Sequence, residues 1–214
     1  MNPSVEAIER IQAAETLLAS EAVTPFPVPI AGLEAVVAGA LLGLERGDWW
    51  VPGLRERVGA VLRDVPLARL VDGLAGARPY KVAPPTPSPA LRALHAVGLA
   101  AAGNVALVHL GIGSTADGSF HEALNLAALL QPNVIFLVAV IPLDNPDAPV
   151  GPQLATDPGD VARSFGLRTV NVDGSSVTAV RDAVIAARKA TGPHVLIASL
   201  DLGADLVALA RAEA

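Results

Sequence analysis

From residue 105 onward the sequence alternates between two kinds of segment. Short apolar runs, "VALVHL" (105–110), "VIFLVAV" (134–140), "TVNV" (169–172) and "HVLIAS" (194–199), are separated by stretches with helical spacing over 119–130, 160–165, 176–190 and 204–212. Nearly continuous apolar strands are buried on both faces, and such strands alternating with helices make a mainly parallel sheet covered on both sides. The expected class is therefore α/β in three layers. Aromatic residues make up only 3% of the chain against 52% hydrophobic, so the core must be built from Ala, Val and Leu.

The first part reads differently. Apolar positions at helical spacing predict helices over 5–19, with Ser4 as N-cap, and over 33–45, 54–62 and 90–102, with a short helix begun by Pro66 and running to about 74. "VTPFPVPIAG" (23–32) is a Pro-rich connector. "DWWVPG" (48–53) reads as a loop, and "GARPYKVAPPTPSP" (76–89) carries five prolines. A long loop is expected over 142–159. The division is one domain over 1–214, with a mainly helical part over 1–89 and an alternating β/α part over 90–214.

Charge and composition exclude several classes. A net charge of −6 with no Lys/Arg cluster argues against nucleic acid. The absence of Cys removes disulfides, thiolate metal sites and a Cys nucleophile. The run 93–116 holds none of Asp, Glu, Lys or Arg, but its two His and its Gly103-Asn104 breaker read as helix, turn and strand, not a membrane span. No secretory pattern opens the sequence, so a cytoplasmic location is expected. The mean hydropathy of +0.49 is high for a chain without a membrane span, and suggests a buried subunit interface.

The chemistry-bearing feature is the turn Gly111-Ile112-Gly113-Ser114 after the 105–110 strand. Ligands of parallel sheets bind beyond the carboxyl ends of strands. Glycines allow close backbone approach, and the following helix would aim free N–H groups at an anion. Gly111, Gly113 and Ala116 satisfy the loose dinucleotide fingerprint. The acidic residue due about 20 positions on is missing, because the next strand ends in Val140 and Asp144 lies too far along.

A second pattern is more specific. "GIGSTADGSFHEALNLAALLQPNVIFLV" (111–138) resembles the thiamine diphosphate segment of the alpha subunit of 2-oxo acid dehydrogenase decarboxylase components. It keeps Gly111, Gly113, Gly118, Phe120, His121, Glu122, Ala123, Leu124, Asn125, Ala127 and Ala128 of that family's pattern. "GLEAVVAGALLGLERGDWWVPGLRERVGAVLRDVPLARLVDGLAG" (32–76), "LHAVGLAAA" (94–102) and the 160–198 segment with Val172-Asp173-Gly174 resemble further family segments in the right order. The resemblance implies the thiamine diphosphate-binding fold, with the cofactor's diphosphate bridged by Mg²⁺ and the cofactor placed between subunits.

At the metal the sequence departs from the family. The Asp of the family's Gly-Asp-Gly turn is Ile112 here. Aligned without a gap, its Glu-Asn-Asn falls on Ala139, Val140 and Ile141, so both side-chain metal ligands become isoleucine; a gap would allow Asn145 instead. The Tyr of the family's Tyr-Arg pair becomes Leu54, and its diphosphate-contacting Arg corresponds to Arg55. The family's His-bearing active-site loop has no match in 76–89, and the chain is shorter than its relatives.

The expected site is thus a vestigial diphosphate cradle of Arg55, Gly111, Ile112, Gly113 and Ser114, with no catalytic residue, no metal and no cofactor. The corresponding function is a degenerate, non-catalytic subunit or scaffold, as a homodimer or beside a beta-type subunit. One alternative is an active alpha subunit holding thiamine diphosphate atypically through Arg55 and backbone N–H groups. Another is a binding module for a neutral or weakly polar metabolite. Asp117 and His121, at i and i+4, are candidates to share a proton. His95, His109 and His194 lack metal-ligand spacing and read as hydrogen-bonded structural residues. Trp49 and Trp50 mark either core or an interface.

Overall fold

The computed structural model describes residues 2–20, 29–71, 77–84, 86, 88–141 and 154–213. Among these residues five strands form one sheet: β1 (Trp49–Val51), β2 (Ala106–Gly111), β3 (Val134–Val140), β4 (Arg168–Asp173) and β5 (His194–Ser199). All pairings are parallel and the spatial order is β1-β2-β3-β5-β4. The helices are α1 (Pro3–Ser20), α2 (Glu34–Gly43), α3 (Leu67–Val71), α4 (Leu91–Ala101), α5 (Gly118–Leu130), α6 (Pro158–Ser164), α7 (Val177–Ala190) and α8 (Leu206–Ala212).

Handedness explains how the layers fill. The connections β1 to β2 and β2 to β3 step one way across the sheet, carrying α4 and α5. The chain continues the same way past β3 to the far edge, with α6 on the same side. It then steps back through α7 to insert β5 between β3 and β4. Parallel crossovers are right-handed, so reversing direction places the helix on the opposite face. The two buried clusters show this result. Leu107, Ile135, Leu137 and Leu196 belong to one cluster with residues of α1, α2 and α7, while Val108, Val134, Phe136 and Val195 belong to the other with residues of α4, α5 and Ala162 of α6. The alternation along each central strand follows the two-residue period of the pleat.

Helices α2 and α7 approach closely through two glycines. A Cβ at Gly39 would lie 2.6 Å from the Val177 carbonyl oxygen and 2.7 Å from Val180 Cβ, and one at Gly43 would lie 2.8 Å from Val184 Cβ. The run "EAVVAGALLG" is therefore helical and almost entirely buried, with Gly in place of a side chain where the neighbouring helix needs the room.

The structure corrects several expectations. The 48–53 segment contains β1, an edge strand of three residues in which Trp50 is fully buried and Trp49 nearly so; both are core. The N-terminal part therefore contributes a strand to the sheet. The 54–62 helix is a 3-10 segment, Glu56–Arg63. The first helix begins at Pro3 and is capped by Asn2, whose Oδ1 accepts the Ser4 N–H at 2.9 Å; Ser4 is not the cap. Helix α6 starts at Pro158, within the expected long loop. Most of that loop, parts of the two Pro-rich segments and the end of the short helix expected to reach 74 lie outside the described residues. Ser176 caps α7 as expected, accepting the Ala179 N–H at 3.0 Å.

Candidate functional site

The register of β2 and β3 brings Gly111 opposite Ala139 at their carboxyl ends. A cleft of about 440 Å³ opens just beyond, also reached by Leu200 after β5 and by Leu33 at the start of α2. Arg55, Gly111, Ile112, Gly113 and Ser114 all line it, as does Ile141. Residues far apart in sequence are brought together because strand ends, the 3-10 segment's entry and the start of α4 converge there. Asn145 lies outside the described residues.

The turn is not the free helix N-terminus that the sequence suggested. Ile112–Ala116 forms one 3-10 turn, and α5 begins only at Gly118. Asp117 intervenes, and its Oδ1 accepts the Ser119 N–H at 2.7 Å, placing a carboxylate at the positive end of α5. That backbone hydrogen bond lowers the Asp117 pKa below the ordinary carboxylate range. Within the turn, Thr115 Oγ1 donates to the Ile112 carbonyl at 2.6 Å. His121 Nε2 lies 3.0 Å from the Thr115 carbonyl, so both Asp117 and His121 are spent on backbone groups and do not pair with each other. Phe120, buried beside them, meets Phe136 edge-on with centroids 6.4 Å apart and locks α5 to β3.

Neither Gly111 nor Gly113 has a positive φ, and a Cβ on either would meet nothing within 4 Å. Backbone strain and internal packing therefore do not explain these glycines. What their missing side chains leave open is room in the cleft.

The polar groups of the cleft are unevenly engaged. Arg55 donates from Nε to the Pro29 carbonyl at 3.0 Å and from Nη2 to the Ala31 carbonyl at 3.2 Å, which ties the segment before α2 to the cleft wall. Arg92, from the first turn of α4, is 5% exposed, and its Nε has no hydrogen-bond partner among the described residues. Burial lowers its pKa, opposed by the charge of Glu56, which is also buried. Both groups crowd Gly53, where a Cβ would collide with Arg92 Nη1 and Glu56 Oε2. Sequence reasoning missed Arg92. The signal was present: Arg92 stands four residues before Ala96 and eight before Ala100, on the stripe that α4 buries.

Behind the cleft, His109 on β2 is fully enclosed. Its ring meets Trp50 edge-on at 5.8 Å, and its Nε2 has no hydrogen-bond partner among the described residues, contrary to the expected hydrogen-bonded role. Burial, reinforced by the charge of Arg92, pushes its pKa down to about 3. His194 Nδ1 does find a carbonyl, that of Gly192 at 3.0 Å, and His95 is exposed.

Mg²⁺ needs about six oxygen donors in near-octahedral array. At the turn and at the end of β3 the cleft presents the hydrocarbon of Ile112 and Ile141, and of its two carboxylates Asp117 is engaged with Ser119. No cluster of three or more His, Cys, Asp or Glu suited to a metal occurs among the described residues. These donors do not fit a metal-bridged diphosphate. No helix among the described residues is long and apolar enough to cross a membrane.

The chain is 31% identical over 191 residues to the alpha subunit of 3-methyl-2-oxobutanoate dehydrogenase from Mycobacterium tuberculosis, covering 78% of this chain and 50% of that protein. It is 29% identical over 205 residues to the alpha subunit of 2-oxoisovalerate dehydrogenase from Bacillus subtilis, covering 80% of this chain and 61% of the other. The chain thus spans about half the length of the first of these relatives. Among solved structures, a transketolase mutant from Pichia stipitis superposes with a TM-score of 0.67 at 20% identity, over 94% of this chain and 36% of that one. A protein from Mycobacterium smegmatis, described as a putative thiamin diphosphate-dependent enzyme, superposes with a TM-score of 0.54 at 20% identity, over 80% of this chain and 32% of that one. The fold is that of thiamine diphosphate-dependent enzymes. The profile of the dehydrogenase E1 component matches residues 4–195, and the chain belongs to that family.

Proposed function

We propose that this chain is a non-catalytic alpha-type member of the E1 family, acting as a subunit or scaffold with a second copy of itself or with a beta-type subunit. The observation that carries the reading is the pair Ile112 and Ile141 in one cleft, at the two positions where the family pattern supplies side-chain oxygens to Mg²⁺. A buried diphosphate without its metal is costly, since its charges would lose water without gaining an equivalent partner. Arg55, the residue matched to the family's diphosphate contact, holds the carbonyls of Pro29 and Ala31 instead. The scaffold does not depend on the lost ligands, because the described residues keep the sheet and turn with isoleucine in their place. The cleft is read as vestigial for thiamine diphosphate, and no catalytic residue is assigned.

The test is calorimetric titration of the chain with thiamine diphosphate, with and without Mg²⁺, beside an Ile112→Asp, Ile141→Asn double variant. Expected is no binding by the native chain and Mg²⁺-dependent binding by the variant. Both titrations are repeated with a beta-type subunit present, and sedimentation of the mixture reads the association. Mg²⁺-dependent binding by the native chain, alone or with that partner, overturns the reading.

A further inference from the structure

We infer that the outer edge of β4 is a docking surface for a second copy of this chain, whose own β4 adds antiparallel and joins the two sheets into one. The inference deepens the proposed subunit role, on which it rests, by naming the surface that a second copy occupies.

The two edges of the sheet differ. Strand β1 is closed on its outer side by a bridge between Trp50 and Val82. The Trp50 N–H donates to the Lys81 carbonyl and the Ala83 N–H donates to the Trp50 carbonyl, each at 2.9 Å. Strand β4 pairs with β5 alone among the described residues. Its openness is also a direct observation: Arg168, Val170, Asn171 and Asp173 are all exposed, Val170 to 45%. A segment laid along this edge would cover them. Edge strands are ordinarily blunted by proline, lysine or a bulge. β4 carries none of these, and its register against β5 runs unbroken from Arg168 to Asp173.

The direction of its backbone groups follows from one bond. Just past β4, the Gly174 N–H donates to the Ser199 carbonyl at 2.7 Å. Successive strand residues aim their N–H and C=O to opposite sides, so Val172 and Val170 also aim at β5. Thr169, Asn171 and Asp173 therefore aim theirs outward. Such a row is a template for another strand.

The sequence of β4 fits itself. Its charges stand at its two ends, Arg168 and Asp173. An identical strand added parallel and in register would set Arg beside Arg and Asp beside Asp. Antiparallel addition brings unlike ends together, and a two-fold axis normal to the sheet generates it. With that axis at Asn171, every outward residue of the strand meets another outward residue. Asn171 meets the Asn171 of the second copy, and Thr169, a hydroxyl donor, meets the second copy's Asp173 carboxylate. On the other face Val170 meets the second copy's Val172, so an exposed apolar side chain is covered by another.

The test is sedimentation equilibrium of the full chain at micromolar concentration, beside Val170→Lys. Expected is a dimer whose dissociation constant rises at least tenfold in the variant, because lysine on an edge opposes strand addition. The chain has no cysteine, so introduced thiols read the register directly. Val170→Cys and Val172→Cys chains, mixed and oxidised, should give covalent dimer faster than either variant alone, since opposed residues of a non-hydrogen-bonded pair lie within disulfide reach. A monomeric native chain overturns the inference. So does a dimer that Val170→Lys leaves unchanged, or crosslinking no faster in the mixture than in the separate variants. Should Val170→Lys fail to fold, the crosslinking contrast decides alone. A native monomer that takes up a beta-type subunit overturns this inference and leaves the subunit role standing. Mg²⁺-dependent binding of thiamine diphosphate overturns the non-catalytic reading and leaves the dimer standing.

Discussion

His109 gives the chain a pH dependence of stability that can be isolated by one substitution. In the folded protein its pKa is pushed down to about 3, first by complete burial and then by the charge of Arg92. In the unfolded chain an imidazole titrates near ~6.5. Between these values the unfolded state binds a proton that the folded state refuses. Stability therefore rises with pH across that window and is lost as pH falls from about 6.5 toward about 3. One unit of differential pKa is worth ~1.4 kcal/mol, so by pH ~4.5 the loss assignable to His109 is about 3 kcal/mol. Carboxylates also titrate in this range, and their contribution must be subtracted. His109→Leu does so, because it leaves every other group in place and fills a similar volume. The assay is urea unfolding of both proteins by far-ultraviolet circular dichroism at pH ~7.5, ~6 and ~4.5, read against the linkage slope. The native chain should lose about 3 kcal/mol more than the variant between the ends of that series. At neutral pH the variant should be no less stable, since it removes the unpartnered Nε2. A difference between the two proteins that stays constant with pH refutes the assignment.

Two further outcomes test the packing that holds the site. Arg188 on α7 joins Asp48 at 2.6 Å and Glu45 at 3.0 Å, and Asp48 is almost fully buried. Arg188→Met should destabilise by about 3 kcal/mol in urea unfolding, because it leaves the buried Asp48 carboxylate without its ion-pair partner and with the Glu45 N–H as its remaining donor, and an unchanged midpoint would show that pair to be idle. Gly39→Ala should cost about 2 kcal/mol in thermal unfolding, since the new methyl meets the Val177 backbone oxygen and the gain in helix propensity is smaller than that clash. A rise in melting temperature would mean that α2 and α7 separate freely.

The parts of the fold legible in the sequence are those whose burial is periodic. β2, β3 and β5 are apolar throughout because helices cover both their faces, and α5 and α7 carry helical spacing between recognisable caps and turns. β1 was hidden because three residues hold no measurable period and Gly47, Pro52 and Gly53 surround them with turn chemistry. The 3-10 character of Glu56–Arg63 was equally hidden. It accompanies Gly59, whose missing side chain lets Val37 of α2 close in, and Arg63, which reaches back to the carbonyls of Asp48 and Glu45. Insertion of β5 between β3 and β4 depends on pairing partners that local pattern does not encode. At the site, strand ends located the turn, and every residue assigned to it lines the cleft. The engagement of those residues was not legible. Arg55 has carbonyl partners contributed from another segment, and the N-terminus of α5 is taken by the next side chain along, Asp117.

The turn is also built so that its backbone and its ligand positions are independent. Thr115 Oγ1 holds the Ile112 carbonyl, His121 holds the Thr115 carbonyl, and Asp117 starts α5; the side chains of residues 112 and 141 take part in none of these bonds. Substitution at either position removes none of these bonds. With a metal present, an Asp and an Asn there would be neutralised and coordinated. Without one, they would be half-buried polar groups, each facing a desolvation cost of about 1–3 kcal/mol. Isoleucine removes that cost and adds hydrocarbon contact. On the proposed reading the two substitutions form a coherent pair, since loss of either ligand removes the reason to keep the other.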